Sequence, residues 1–166
     1  MAITFTLIDI VLLITTVMSS LAGGLFYAWS CSVIPGLKSL PDRSYIQAMQ
    51  SFNKAILNPA FFISFIGTLV LLPVCVYLNY DSSFPVRFCL LLAALILYVL
   101  GVFGVTALGN IPLNRKLANF DMANSNEQSV SLQRINFEEP WIRWHSVRTC
   151  AGILVIILEV IACLVH

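Results

Sequence analysis

The sequence predicts an all-α integral membrane protein folded as a four-helix bundle, and three observations carry that prediction. Of its 166 residues 59% are hydrophobic and only 10% charged, where a soluble domain carries about 25% charged residues. Four apolar stretches, Ile10–Trp29, Pro59–Leu78, Phe88–Leu108 and Thr149–Val165, are long enough to cross a bilayer, which takes roughly 17–25 helical residues. The polar residues gather at the ends of those stretches. With their flanks, the stretches predict helices over about 10–31, 55–79, 86–109 and 140–165 in a single domain, 1–166.

The first stretch reads as a membrane helix and not as a cleaved signal, because Asp9 stands where a signal would be basic and no cleavage site follows. It carries Ser19, Ser20, Gly23, Gly24 and Ala28, small residues at helical spacing that let two backbones approach where lipid gives little drive to association. That face suits packing inside the bundle or a homodimer. Before the second helix come Gln50, Asn53 and Asn58, and within it Pro73 predicts a kink. Pro85 stands just ahead of the third helix, where proline is well tolerated. That helix ends in "GNIPLN", with Asn110 and Asn114 around Pro112.

The fourth helix is predicted to start at Pro140, with Glu138 and Glu139 at its positive dipole end. Trp141, Trp144, His145 and Arg148 follow at i, i+3, i+4 and i+7, a spacing that puts them on one helix face near the membrane interface. Glu159 is the acid placed well inside an apolar span. At ~100° per residue it lies within roughly 40° of His145 and faces the same way. Amides and acids near hydrocarbon are costly without partners, so each cluster predicts hydrogen bonds to a neighbour or a bound molecule. Blander readings stand beside each: an interfacial Trp and Arg belt, asparagines capping a helix end, and a protonated Glu159 bonded to Thr15, Thr16 or Ser19.

"IPGLKSL" from Ile34 and "IPLNRKL" from Ile111 each follow a membrane helix, and predict two parallel helix-loop-helix halves. Phe52-Asn53 would then correspond to Trp144-His145, with Asn53 and His145 facing one cavity. Four crossings put both termini on one side. Lys38, Arg43, Lys54, Arg115, Lys116, Arg134, Arg143 and Arg148 lie in the two longer loops, against Arg87 opposite, which predicts cytoplasmic loops and non-cytoplasmic termini.

A net charge of +1 with scattered basic residues offers no nucleic-acid stripe. The five cysteines lie in or beside apolar segments without metal-site spacing, and two histidines among scattered acids cannot build a di-metal centre. No phosphate loop, haem-attachment motif or Ser-His-Asp series is visible.

A Gly-Gly membrane helix, then "MQSFNKAILNP", "NIPLN" and "WIRWHSVRT" together resemble the small four-helix membrane proteins of the anthrone oxygenase-like family, much of it a domain of unknown function. The family pattern more often has Asn at the place of His145. The resemblance implies the fold, and an oxidoreductase that converts anthrones to anthraquinones with molecular oxygen. On this reading a flat aromatic ligand enters from the bilayer. His145 is the base, Arg148, Asn53, Asn110 and Asn114 stabilise the enolate oxygen, and Trp141 and Trp144 sandwich the rings, with Gln50 beside them. A second reading is a b-type haem protein, with His145 the axial ligand to the metal and Arg148 meeting a propionate. A third is a non-enzymatic scaffold or transport module, in which Glu159 pairs helices.

Overall fold

A computed structural model describes residues 6–81 and 85–165, and every regular element among them is helical. In chain order, α1 (Leu7–Ala28) widens into a π turn, π1 (Trp29–Val33), and continues as α2 (Ile34–Lys38). Next come α3 (Asp42–Ala55) and α4 (Pro59–Leu78). Then α5 (Val86–Leu97) passes through π2 (Tyr98–Gly104) and π3 (Thr106–Asn110) into α6 (Ile111–Ala118), and α7 (Glu127–Leu164) closes the chain. Four helical runs, Leu7–Lys38, Pro59–Leu78, Val86–Ala118 and Glu127–Leu164, are long and apolar enough to cross a membrane. α1 packs on α4 and α7, and α5 packs on the same two, so α1 and α5 stand diagonally across the bundle.

The helices run further than the apolar stretches because local polar chemistry, not hydropathy, ends them. Thr6 and Asp9 form a capping box that starts α1, satisfying amides that otherwise lack partners. Asp9 also takes an ion pair from Arg87 at 2.6 Å. Asn58 caps α4 and Pro59 follows it at the first helical position, so the second span starts at Pro59 and α3 is a helix of its own. Pro73 lies inside α4. α7 begins at Glu127, capped by Asn126, and carries Pro140 inside it. Glu138 and Glu139 therefore do not sit at a helix start; they pair with Arg134 at 2.7 Å and Arg143 at 2.5 Å, one turn away on the same helix. The 38 residues of α7 make a rod about 57 Å long, against a hydrocarbon layer about 30 Å thick. Its first half projects beyond the lipid.

Two buried clusters result. Leu12, Phe26, Phe65, Leu72, Leu91, Tyr98, Val102 and Val155 fill the bundle. Leu37, Tyr45, Ile46, Met49, Leu117, Val130, Phe137 and Trp141 form a second core, in which α3 and the projecting half of α7 cap the bundle with α6. Arg134 locks the cap by donating to the carbonyls of Leu40 and Lys38 and to Asp42, and lies 4.3 Å over the Tyr45 ring. Burial lifts the Tyr45 hydroxyl far above the ordinary phenol range; Glu138 adds to the rise and Arg134 opposes it.

The two Ile-Pro motifs share a local structure. Pro35 and Pro112 each follow a π turn, and a proline ring clashes with the carbonyl four residues earlier in a regular helix. The wider turn accommodates that ring. Beyond this point the halves diverge: Asn53 lies on α3, separated from α4 by a break, whereas His145 sits within unbroken α7. The two halves thus differ in chain continuity at Asn53 and His145.

Candidate functional site

His145, fully buried, stands where α7 leaves the bundle core and enters the cap. Its ring stacks on Trp141 one turn earlier, at 4.9 Å and 7°, and meets the Phe26 ring edge-on at 6.2 Å. Arg148, only 9% exposed, turns back along the helix: Nε and Nη2 lie 3.2 and 3.0 Å from His145 Nδ1. A guanidinium only donates, so Nδ1 accepts and the ring proton belongs on Nε2. There the Phe26 carbonyl accepts it at 3.2 Å, with Ser30 Oγ at 3.1 Å and Thr149 Oγ1 at 3.4 Å. Both ring nitrogens are engaged.

The guanidinium has an unusual setting. It lies 4.4 Å over the Phe26 ring and 5.5 Å from that of Trp141, and Nη1 reaches Thr106 Oγ1 at 3.5 Å. Aromatic faces attract a cation by about 2 kcal/mol when desolvated. Arg43, Arg87, Arg134 and Arg143 each hold a carboxylate, and Arg115 is exposed to solvent. Arg148 forms no ion pair among the described residues.

Trp141 is fixed from the α5 side. Asn114 Oδ1 accepts from its indole nitrogen at 2.7 Å, and Asn110 Nδ2 donates to its carbonyl at 3.2 Å. Asn110 is fully buried, and its Oδ1 has no hydrogen-bond partner. The two asparagines thus position an aromatic wall instead of capping their own helix.

Other expected members lie elsewhere. Trp144 is 42% exposed, because a residue three positions after Trp141 is rotated about 60° off its stripe. It lies on the backbone of Gly109, where a Cβ would come within 2.5 Å of the indole. Trp144 is thus set apart from the stacked Trp141 and His145 rings. Gln50 donates to the carbonyls of Leu117 and Phe120 and so ties the end of α6 to α3. Asn53 carries a buried side-chain nitrogen without a partner. Glu159 is fully buried and accepts from Ser19 across α1 and α7; its Oε1 is unpartnered. Ser19 and Gly23 of the small series on α1 are buried inside the molecule, with Gly23 close against Gly152, whereas Gly24 and Ala28 are exposed.

The sequence reading missed Phe26, Trp29, Ser30 and Thr106. Phe26 and Ser30 continue the Ser19, Gly23 spacing and could have been found from it. Trp29 lies off that stripe, roughly 60° round the helix from Phe26. Its indole lies 5.6 Å from Trp141, 6.4 Å from His145 and 5.3 Å from Phe52 on α3. Surface hollows of about 660 and 320 Å³ lie in the apolar groove between α1 and α4, around Met18 and Ile63, away from the cluster.

The anthrone oxygenase family model matches residues 60–158, more than half of the chain, a span that includes Asn110, Asn114, Trp141, His145 and Arg148. No curated protein and no solved structure shows significant similarity to the chain.

Proposed function

Because the chain belongs to the anthrone oxygenase family, we propose that the His145–Arg148 cluster binds a flat, enolisable phenolic compound drawn from the bilayer and promotes its oxidation by molecular oxygen. The observation that carries this reading is the buried Arg148 guanidinium, which forms no ion pair among the described residues. An uncompensated buried charge costs several kcal/mol, and a phenolate or enolate oxygen arriving from an apolar ligand would compensate it.

The hydrogen bonds give the order of events. The ligand oxygen draws Arg148 away from His145 Nδ1, which frees that lone pair to take a proton from a methylene flanked by two aryl rings. Arg148 holds the resulting enolate oxygen. The carbanion adds oxygen and recovers the proton from His145 as a hydroperoxide, which loses water to leave the carbonyl. Overall, a CH₂ group and O₂ become C=O and H₂O, with no other reductant or oxidant. Asn110 Oδ1 offers an open acceptor for a ligand hydroxyl.

Oxygen uptake by the purified protein with anthrone tests this. His145→Ala should lower turnover by ~10²–10⁴-fold while anthrone still binds; unchanged turnover removes the base. A b-type haem has less support, since neither nitrogen of His145 is left with a free lone pair for iron. For orientation, Lys38, Lys54, Arg115 and Lys116 are exposed on the cap side, and opposite them Arg87 is neutralised by Asp9. We infer a cytoplasmic cap and non-cytoplasmic termini.

A further inference from the structure

We propose that the Trp29 indole fills the ring subsite of the ligand: the slot bounded by Phe52, Trp141 and His145 is made for a flat fused aromatic, and Trp29 occupies it until one displaces it. The proposal rests on the reading of Arg148 as the anchor for an anionic oxygen.

Four observations lead here. First, Trp29 is only half-buried, yet touches the rings of α3 and α7 at once. Second, it meets Trp141 at 49° and His145 at 54°, although those two rings are parallel to within 7°. An offset-stacked ring is among the preferred arrangements on such a wall, and Trp29 does not achieve it; a free planar molecule could. Third, two buried polar atoms have no partner: Asn53 Nδ2, on the residue after Phe52, and Asn110 Oδ1, on the side chain that donates to the Trp141 carbonyl. Buried polar atoms rarely stay unpaired. Fourth, Trp29 opens π1. Such single-turn widenings recur at functional sites, and this one carries Trp29 beside Ser30, whose hydroxyl lies 3.1 Å from His145 Nε2. A local shift of π1 would move the plug and release that contact together.

The closing experiment measures equilibrium binding of 2-naphthol and naphthalene to the protein in phosphatidylcholine nanodiscs, with empty discs as reference. 2-Naphthol matches an indole in width and carries an acidic hydroxyl. If the plugged form dominates, removing the plug raises the apparent affinity by the reciprocal of the open fraction. Trp29→Gly should therefore bind 2-naphthol about tenfold tighter than the native chain or better, and Trp29→Phe should gain less. No gain in a folded Trp29→Gly overturns the proposal. Should that variant not fold, Trp29→Phe decides, and no gain there overturns it equally. Adding Arg148→Gln to Trp29→Gly separates the two readings: equal binding of naphthol and naphthalene supports both. A retained preference for naphthol removes the anion anchor and leaves the subsite. Arg148-dependent naphthol binding in the native chain without any gain in Trp29→Gly removes the subsite alone.

Discussion

In the bundle, Leu12, Leu72, Leu91 and Val155 are buried among side chains no more apolar than the lipid outside, whereas in the cap Ile46, Met49, Leu117 and Val130 are hidden from water. The bundle therefore gains little from leaving its solvent and depends on close contact and interhelical hydrogen bonds, such as Tyr98 to the Phe65 carbonyl at 2.6 Å. The cap gains about 25 cal/mol per Å² of apolar surface withdrawn from water. His145 and Arg148 lie where the two regimes meet, close enough to the lipid to receive an apolar ligand and polar enough to hold a charge.

The largest expected effect separates chemistry from both cores. Arg148→Gln should lower anthrone turnover by at least ~10²-fold without lowering the thermal transition in detergent, because the lost charge has no carboxylate to leave behind. A large drop in that transition would make Arg148 a structural group of the bundle. Next, Met49→Ala should cost the cap about 2–5 kcal/mol. Moderate urea should then raise hydrogen exchange through α3 while the amides of α4 stay protected, and simultaneous loss in both would join the two regions into one cooperative unit. Gln50→Ala removes the tie between α3 and the end of α6 and should cost about 1 kcal/mol, read as faster exchange at Asn119 and Phe120.

The smallest effect lies at the tip of the cap. Hydrogen bonds from the Asn124 side chain, and from the Asn124 and Ala123 amides, hold the Asp121 carboxyl below its ordinary value. Order in this turn is therefore complete above that ordinary value and lost only as pH falls through the depressed one. Protection factors at Ala123 and Asn124, corrected for intrinsic exchange, that stay flat down to about pH 4 and fall below it would match; a fall nearer neutrality would contradict it.

Hydropathy made the four spans legible, and helical spacing brought Trp141, His145 and Arg148 together. It also placed Glu159 inside the bundle, where Ser19 meets it. The cap was not legible, because α3 is amphipathic and short, and its core forms only when residues such as Tyr45 and Phe137 meet across more than ninety positions. Trp144 falls outside the buried stack, since a stripe of four helix positions is wider than the contact it makes. The π turns escaped altogether, because a widened turn leaves composition unchanged.

The unbroken run of α7 from Glu127 to Leu164 also sets what lengths this chain can have. Deleting one residue between His145 and Glu159 would rotate everything beyond by about 100°, swinging Glu159 out of reach of Ser19 and towards lipid. No such rigidity binds the opposite walls, where π1, π2 and π3 already hold more residues per turn than an α-helix does. Length variation among related chains should therefore collect in the turn at 119–126, the break at 56–58 and the π turns, and be purged from the second half of α7, which acts as the ruler against which the other three spans adjust.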